Sequence, residues 1–169
     1  MKRVAVIGCC GSGKSTVAKN LARLTGIPLV HLDYHYWRPG WQRPDNHEWR
    51  EWQKKVCCAP TWIMDGNYKS TLDIRLATAD TLIFLDYPTR TCLWRVIKRT
   101  IMGLGLNRQG ELPEGCKERF DLKFLLYVGR YRKHYRPTMV EELDTFKGKL
   151  YHFTSPAELK RFMEEIYEY

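Results

Sequence analysis

Near its amino terminus the chain reads Gly8-Cys9-Cys10-Gly11-Ser12-Gly13-Lys14-Ser15-Thr16, which fits the spacing G-x-x-x-x-G-K-[ST]. This is the pattern of a P-loop, and few short patterns restrict a fold as tightly. The glycines let backbone N–H groups curl around phosphate oxygens, the lysine reaches the outer phosphates, and the following hydroxyl can meet Mg²⁺. Such a loop works only between a strand and a helix. Val4-Ala5-Val6-Ile7 is an apolar, β-branched run suited to a buried parallel strand. After the loop, Val17, Ala18, Leu21, Ala22 and Leu24 recur at helical spacing until Gly26 and Pro28 stop them. A helix starting there points its free N–H groups at bound phosphates. Gly8, Gly11, Ser12, Gly13, Lys14, Ser15 and Thr16 are therefore the candidate nucleotide-binding residues, with Ser15 also a candidate Mg²⁺ ligand.

With 169 residues, 44% of them hydrophobic, the chain fits a single domain over 1–169. No run of 18 or more apolar residues occurs, and Met1-Lys2-Arg3 leads straight into the first strand rather than into a signal peptide. A cytoplasmic protein with no membrane partner is expected. Six cysteines show neither a C-x-x-C pair nor metal-type spacing with histidine, so reduced thiols are expected. Cys9 and Cys10 lie at a helix N-terminus, where a lowered thiol pKa would make them oxidant-sensitive. Of the net charge of +9, eight units fall between Arg90 and Arg136, which hold twelve Lys/Arg and four Asp/Glu. A stretch that basic suits nucleic acid or the phosphates of a small substrate.

Leu29 to Asp33 reads as a second strand ending in a carboxylate, and an aromatic passage with Tyr34, Tyr36, Trp37 and Trp41 follows. Asp45 with Glu48 three residues later is a capping box, so a helix should run from Asn46 towards Cys58. Thr61–Asp65 and Thr81–Asp86 are strands three and four, again ending in carboxylates. A helix from about Thr89 carries Cys92, Leu93, Val96, Ile97 and Ile101 towards the core, with Arg95 and Arg99 on another face. Met102 to Gly115 reads as a mobile loop, then a basic helix runs from about Asp121 to Tyr135, where Pro137 ends or kinks it. Leu150–Phe153 is the last strand, and Ser155-Pro156 opens a terminal helix.

Five strands alternating with helices predict an α/β P-loop NTPase fold: a five-stranded parallel sheet with helices on both faces, an acceptor-side segment near 34–60 and a basic lid-like insertion near 100–136. Ligands of such sheets bind at the carboxyl ends of the strands, where Gly8, Asp33, Asp65 and Asp86 all fall. Phosphoryl transfer needs Mg²⁺ held, charge neutralised and reactants aligned. Asp65 is the first candidate for the Mg²⁺ carboxylate and Asp86 the second. Asp33 is a candidate acceptor ligand or general base, and Arg95 and Arg99 are candidates for neutralising charge on the transferred group. Lys14, Asp33, Arg95 and Arg99 thus form the candidate catalytic set, while Trp37 and Trp41 could stack on a planar substrate.

These residues resemble the adenylate-kinase-like P-loop kinases, and more closely the bacterial DNA topology modulation proteins (FlaR-like). The closer resemblance rests on the loop together with His31-Leu32-Asp33, Trp37-Arg38-Pro39-Gly40-Trp41, Asp65-Gly66-Asn67-Tyr68, Arg75, Ala79-Asp80, Phe84-Leu85-Asp86 and Cys92-Leu93-Trp94-Arg95. It implies an ATP- and Mg²⁺-dependent kinase acting on a nucleoside, nucleotide or other hydroxylated metabolite. By the same resemblance Arg95 would lie over the adenine and Arg99 on the phosphates, and Arg119 and Arg130 are similar to the later lid arginines. The Thr-Gly element with which adenylate kinases hold AMP is absent after the second strand. The family name also implies a regulatory ATP-binding protein that influences DNA topology through its basic surface, although no DNA-reading module is present. A guanine-reading N-K-x-D motif is missing, which favours adenine.

Overall fold

A computed structural model describes residues 1–167. Strand β1 (Arg3–Gly8) lies at the centre of the sheet and is buried on both faces from Val4 onwards. Around it stand β2 (Leu29–His31), β3 (Trp62–Asp65), β4 (Thr81–Leu85) and β5 (Lys149–Phe153), in the order β2-β3-β1-β4-β5. Every pairing is parallel. The expected fold class is therefore the observed one.

The strands' two-residue period divides the core. Val4, Val6, Ile63, Ile83 and Leu85 face one apolar cluster with Val17 and Leu21 of α1 (Lys14–Thr25), Val96 of α5 (Thr89–Gly103), Val128 of α6 (Leu122–His134) and Met163 of α8 (Pro156–Tyr167). Ala5, Ile7, Met64, Leu82 and Phe84 face the other, with Trp49 of α3 (Asn46–Cys57), Leu72 of α4 (Leu72–Thr78) and Met139 of α7 (Arg136–Asp144). Trp49 of α3 is a core residue with the half-buried Trp52 packed beside it, and Asp45 caps that helix by accepting from the N–H groups of His47 and Glu48.

Several boundaries differ from the sequence reading. The second strand stops at His31, and Leu32–Tyr36 turns into a short helix, α2. Asp33 therefore sits in the first turn of a helix rather than at a strand end. Helix α4 follows a 3-10 turn at Lys69–Thr71, and α7 follows α6 almost without a break. Pro137 starts α7, where its missing N–H costs nothing. Along α5, Ile97 and Ile101 face solvent instead of the core, while Thr100 is buried.

Candidate active site

The phosphate loop joins β1 to α1, and its glycines are sterically required. A Cβ on Gly8 would lie 2.4 Å from the carbonyl oxygen of Leu85, and one on Gly11 would lie 2.5 Å from that of Cys92. Both residues also have positive φ, as does Gly13, the N-cap of α1. No side chain caps that helix, so its first N–H groups stand ready for an anion. The Oγ of Ser12 is buried without a partner among the described residues, and Lys14 Nζ donates to the carbonyls of Gly8 and Cys9 at 3.0 Å. This donor-rich, uncapped cradle fits the phosphates of a nucleotide.

Asp65 follows directly from sheet register. Pairing of β3 with β1 sets it opposite Val6, and pairing with β2 sets it opposite His31. Its carboxylate accepts from Ser15 Oγ at 2.6 Å and meets His31 Nδ1 at 2.6 Å. The pair expected to serve Mg²⁺, Ser15 and Asp65, is thus assembled. No group of three or more His, Cys, Asp or Glu side chains is arranged to hold a metal by itself among the described residues. That donor set fits Mg²⁺, which is usually held by one or two carboxylates together with water and substrate phosphates.

Asp33 accepts a 2.6 Å hydrogen bond from the phenol of Tyr68. Burial, reinforced by the Asp33 charge, pushes the Tyr68 phenol well above its ordinary range, so Tyr68 remains a donor. The turn that carries Tyr68 is built around Arg75, which has no exposed surface. Its guanidinium donates to the carbonyls of Gly66, Asn67 and Tyr68, and burial lowers its pKa to about 10. From the same turn Asn67 accepts from the N–H of Gly8 at 2.9 Å. Arg75 therefore fixes one turn that holds Asp65, the head of the phosphate loop and Asp33 together. The sequence reading used Arg75, Asn67 and Tyr68 only as part of a family resemblance, because the hydrogen bonds that give them their positions join residues no local pattern pairs.

The arginines close the loop's other side. Arg95 donates to the carbonyl of Ser12 at 3.2 Å, with its guanidinium 5.6 Å from the Tyr87 ring centroid. Arg99 pairs with Glu118 at 3.1 Å; burial, then the nearby Arg108, lowers its pKa. Arg108 pairs with the same Glu118 at 2.8 Å and with Glu111 at 3.1 Å. Glu111 in turn meets Lys19 of α1 at 2.5 Å. The segment between α5 and α6, read as a mobile loop, is docked in this structure. It bridges to the acceptor-side segment as well, through Gly40 N–H to the Gly115 carbonyl at 3.3 Å and the Cys116 thiol to the Arg38 carbonyl at 3.2 Å. Arg108, Glu111 and Glu118 were not singled out; the pairs that dock the segment, Lys19 with Glu111 and Arg99 with Glu118, join residues 92 and 19 positions apart.

Cys10 reports the convergence. Burial raises its thiol pKa, and Lys14, Asp33, Arg99 and Arg108 all act on it electrostatically. The Cys9 thiol is also raised, chiefly by its contact with Cys92 and by burial, which overturns the expected lowering at the helix N-terminus: the thiols sit in packed surroundings rather than at the uncapped N–H groups. Cys92 is shifted the other way, lowered by that same contact.

Other candidates lie elsewhere. Asp86 is buried against Arg136 at 2.6 Å and His152 at 3.2 Å; burial works against its charge, yet these contacts hold its carboxyl below the usual range. It ties β4 to α7 and β5, and its carboxylate is taken up by these side chains. Trp37 and Trp41 meet edge to face at 5.3 Å, and the Arg119 guanidinium lies 5.4 Å from the Trp41 centroid. Arg130 is exposed on α6, and Thr16 is exposed on α1.

Known proteins agree at the level of fold. Over 35 residues, 21% of this chain, the sequence is 51% identical to shikimate kinase of Parabacteroides distasonis, and the match spans 20% of that protein's length. The solved shikimate kinase of Acinetobacter baumannii, in complex with shikimate, superposes over 99% of this chain and 92% of its own with a TM-score of 0.57 at 13% identity. The shikimate kinase of Bacteroides thetaiotaomicron covers 99% of this chain and 96% of its own with a TM-score of 0.54 at 14% identity. No protein-family model matches the chain. The chain has the fold of the P-loop kinases.

Proposed function

We propose that the protein is a phosphotransferase that moves the γ-phosphoryl group of ATP, with Mg²⁺, to a small hydroxylated acceptor. The observation that carries this reading is one connected site: Ser15 of the phosphate loop donates to Asp65, Asn67 two residues on accepts from the N–H of Gly8, and Tyr68 beside it donates to the second carboxylate, Asp33. A loop that only held a nucleotide would need no second carboxylate held by the turn that braces it; an acceptor hydroxyl would.

In this reading the N–H groups of Gly8, Gly11, Ser12 and Gly13, with Ser15 and Thr16, hold the phosphates, and Lys14 leaves the Gly8 and Cys9 carbonyls to reach the outermost ones. Arg95 packs on the nucleotide's base side, and Arg99 and Arg108 neutralise charge that grows on the transferred group. Asp33, oriented by Tyr68, accepts the proton of the attacking hydroxyl. Ser15 and Asp65 would hold Mg²⁺, which when bound neutralises phosphate charge. Segment 100–136 acts as the lid and 34–60 as the acceptor side of a single domain. The matched proteins are shikimate kinases, one of them holding shikimate, which supports a hydroxylated metabolite as acceptor. Within this class, the motifs around Trp37, Asp65 and Cys92 support a resemblance to the DNA topology modulation proteins.

The test is ADP release with ATP and Mg²⁺ over a panel of shikimate, other hydroxylated acids, nucleosides and nucleoside monophosphates, with a duplex-DNA arm. Stimulation by one small acceptor, lost in Lys14→Ala, is expected. Stimulation by DNA alone would overturn the reading.

A further inference from the structure

Helices α5 and α6 turn apolar side chains outward. Trp94, Ile97 and Ile101, spaced to share one face of α5, are 65%, 36% and 71% exposed. The apolar run continues with Met102 in the helix's last turn and Leu104 just past its end, at 71% and 62%. Alongside it lie Phe120, at 68%, and Leu122 at the start of α6, at 62%; Phe120 lines one shallow cleft with Ile97, Ile101 and Arg119. Among the described residues, nine of the thirteen exposed large apolar side chains fall between Trp94 and Leu126. A monomer's surface rarely concentrates them so heavily without an interaction to serve.

The charge around this face is mostly of one sign: the carboxylate in the cleft, Asp121, caps α6 and lies 3.8 Å from Arg119. Neither α5 nor α6 contains an Asp or Glu. Lys98 is exposed one turn from both Trp94 and Ile101, and exposed Lys123 lies beside Leu122 and Leu126. Aliphatic tips rimmed by cations, with a tryptophan among them, are what an anionic bilayer surface takes up: apolar side chains enter the headgroup boundary while the lysines meet lipid phosphates. A second copy would bring two acid-free helix pairs together, like charge against like charge. Nucleic acid would satisfy the cations but offers no partner for Ile101, Met102 and Leu104, since bases stack on aromatic rings.

We propose that the α5–α6 face docks peripherally on an anionic lipid surface. The proposal is independent of the catalytic reading. It departs from the expectation of no membrane partner, which rested on spanning segments. No helix among the described residues is long and apolar enough to cross a membrane, and a docking face needs none.

The test is co-sedimentation of the full chain with sucrose-loaded vesicles of phosphatidylcholine alone and of phosphatidylcholine mixed with phosphatidylglycerol. About tenfold or more preference for the anionic vesicles is expected, weakening as salt rises. The variant Ile101→Asp/Leu104→Asp should lose vesicle binding while keeping the wild-type melting curve and nucleotide binding. Lys98→Glu/Lys123→Glu should lose only the preference for anionic lipid. Equal binding to both vesicle types, or binding to neither, overturns the proposal. So does a wild-type dimer in sedimentation velocity that Ile101→Asp dissociates, which would assign the face to a second copy. If the apolar double variant unfolds, the charge variant decides: undiminished anionic binding by it also overturns the proposal.

Discussion

The phosphate loop and the lid-like segment are both rich in glycine, yet they are held in place by different forces. At Gly8 and Gly11 a side chain would collide with backbone, whereas around Gly105 and Gly110 nothing lies within 4 Å. The first loop is shaped by packing that a single methyl group breaks. The second adds ion pairs, Lys19 with Glu111 and Arg99 and Arg108 with Glu118, to the buried Leu112 and Cys116. Packing is insensitive to salt, as are pairs to the buried Glu118 in large part, while the half-exposed Lys19–Glu111 pair is screened. One half of the site is therefore built rigidly, and the other is fastened by contacts that incoming phosphates can exchange.

The largest effect expected from this contrast is on turnover. Lys14→Ala should lower ADP release by about a hundredfold or more while leaving the melting temperature nearly unchanged, because Lys14 contacts only carbonyls of its own loop. Next comes steric design. Gly11→Ala should cost about 3 kcal/mol in denaturant unfolding, from overpacking with added backbone strain; Gly110→Ala, with open space and only its positive φ to oppose it, should cost about 1 kcal/mol. Equal costs would erase the distinction between the two loops. Arg75→Met should destabilise by about 3 kcal/mol, because it strips the buried turn carbonyls of their donor. It should also lower activity by misplacing Asp65 and Tyr68.

The smallest effects belong to the lid and to pH. Lys19→Ala removes an ion pair that is about half exposed on the lysine side and should cost under about 1 kcal/mol, yet speed amide exchange between residues 104 and 121. High salt should mimic it. Asp86 supplies a control outside the site. Its folded-state pKa lies below the unfolded value, so the unfolded chain binds the extra proton. Its contribution is complete above the unfolded pKa and is lost as pH falls through the folded one. Asp86→Asn should flatten that acid limb of a stability–pH curve without changing the lid's salt response.

The rigid half was legible in the sequence because its constraints are local. A fixed glycine–lysine spacing marked the loop, apolar β-branched runs marked the strands, and Asp65 stood at the end of one. Legibility failed where long-range contacts decide. His31-Leu32-Asp33 continued an extended pattern, but His31 pairs with Asp65 and the chain then turns to bury Leu32. Helix α4 was hidden because its arginine is buried among turn carbonyls rather than solvated. Proline at the head of α7 reads equally as a stop or a start. The lid's fastening joins Lys19 to Glu111, and no local pattern reports a pair that distant. On α5 the apolar stripe is wider than its covered face, so Ile97 and Ile101 read as core when they point outward.

The most direct measurement uses γ-labelled ATP with the acceptor panel and follows where the label goes. Label on a small hydroxylated acceptor in the wild type, strongly reduced in Asp33→Asn and absent in Lys14→Ala, is the expected result. Nucleotide bound with wild-type affinity but label found only in ATP, or only in free phosphate whatever the acceptor, would contradict a phosphotransferase built around this loop.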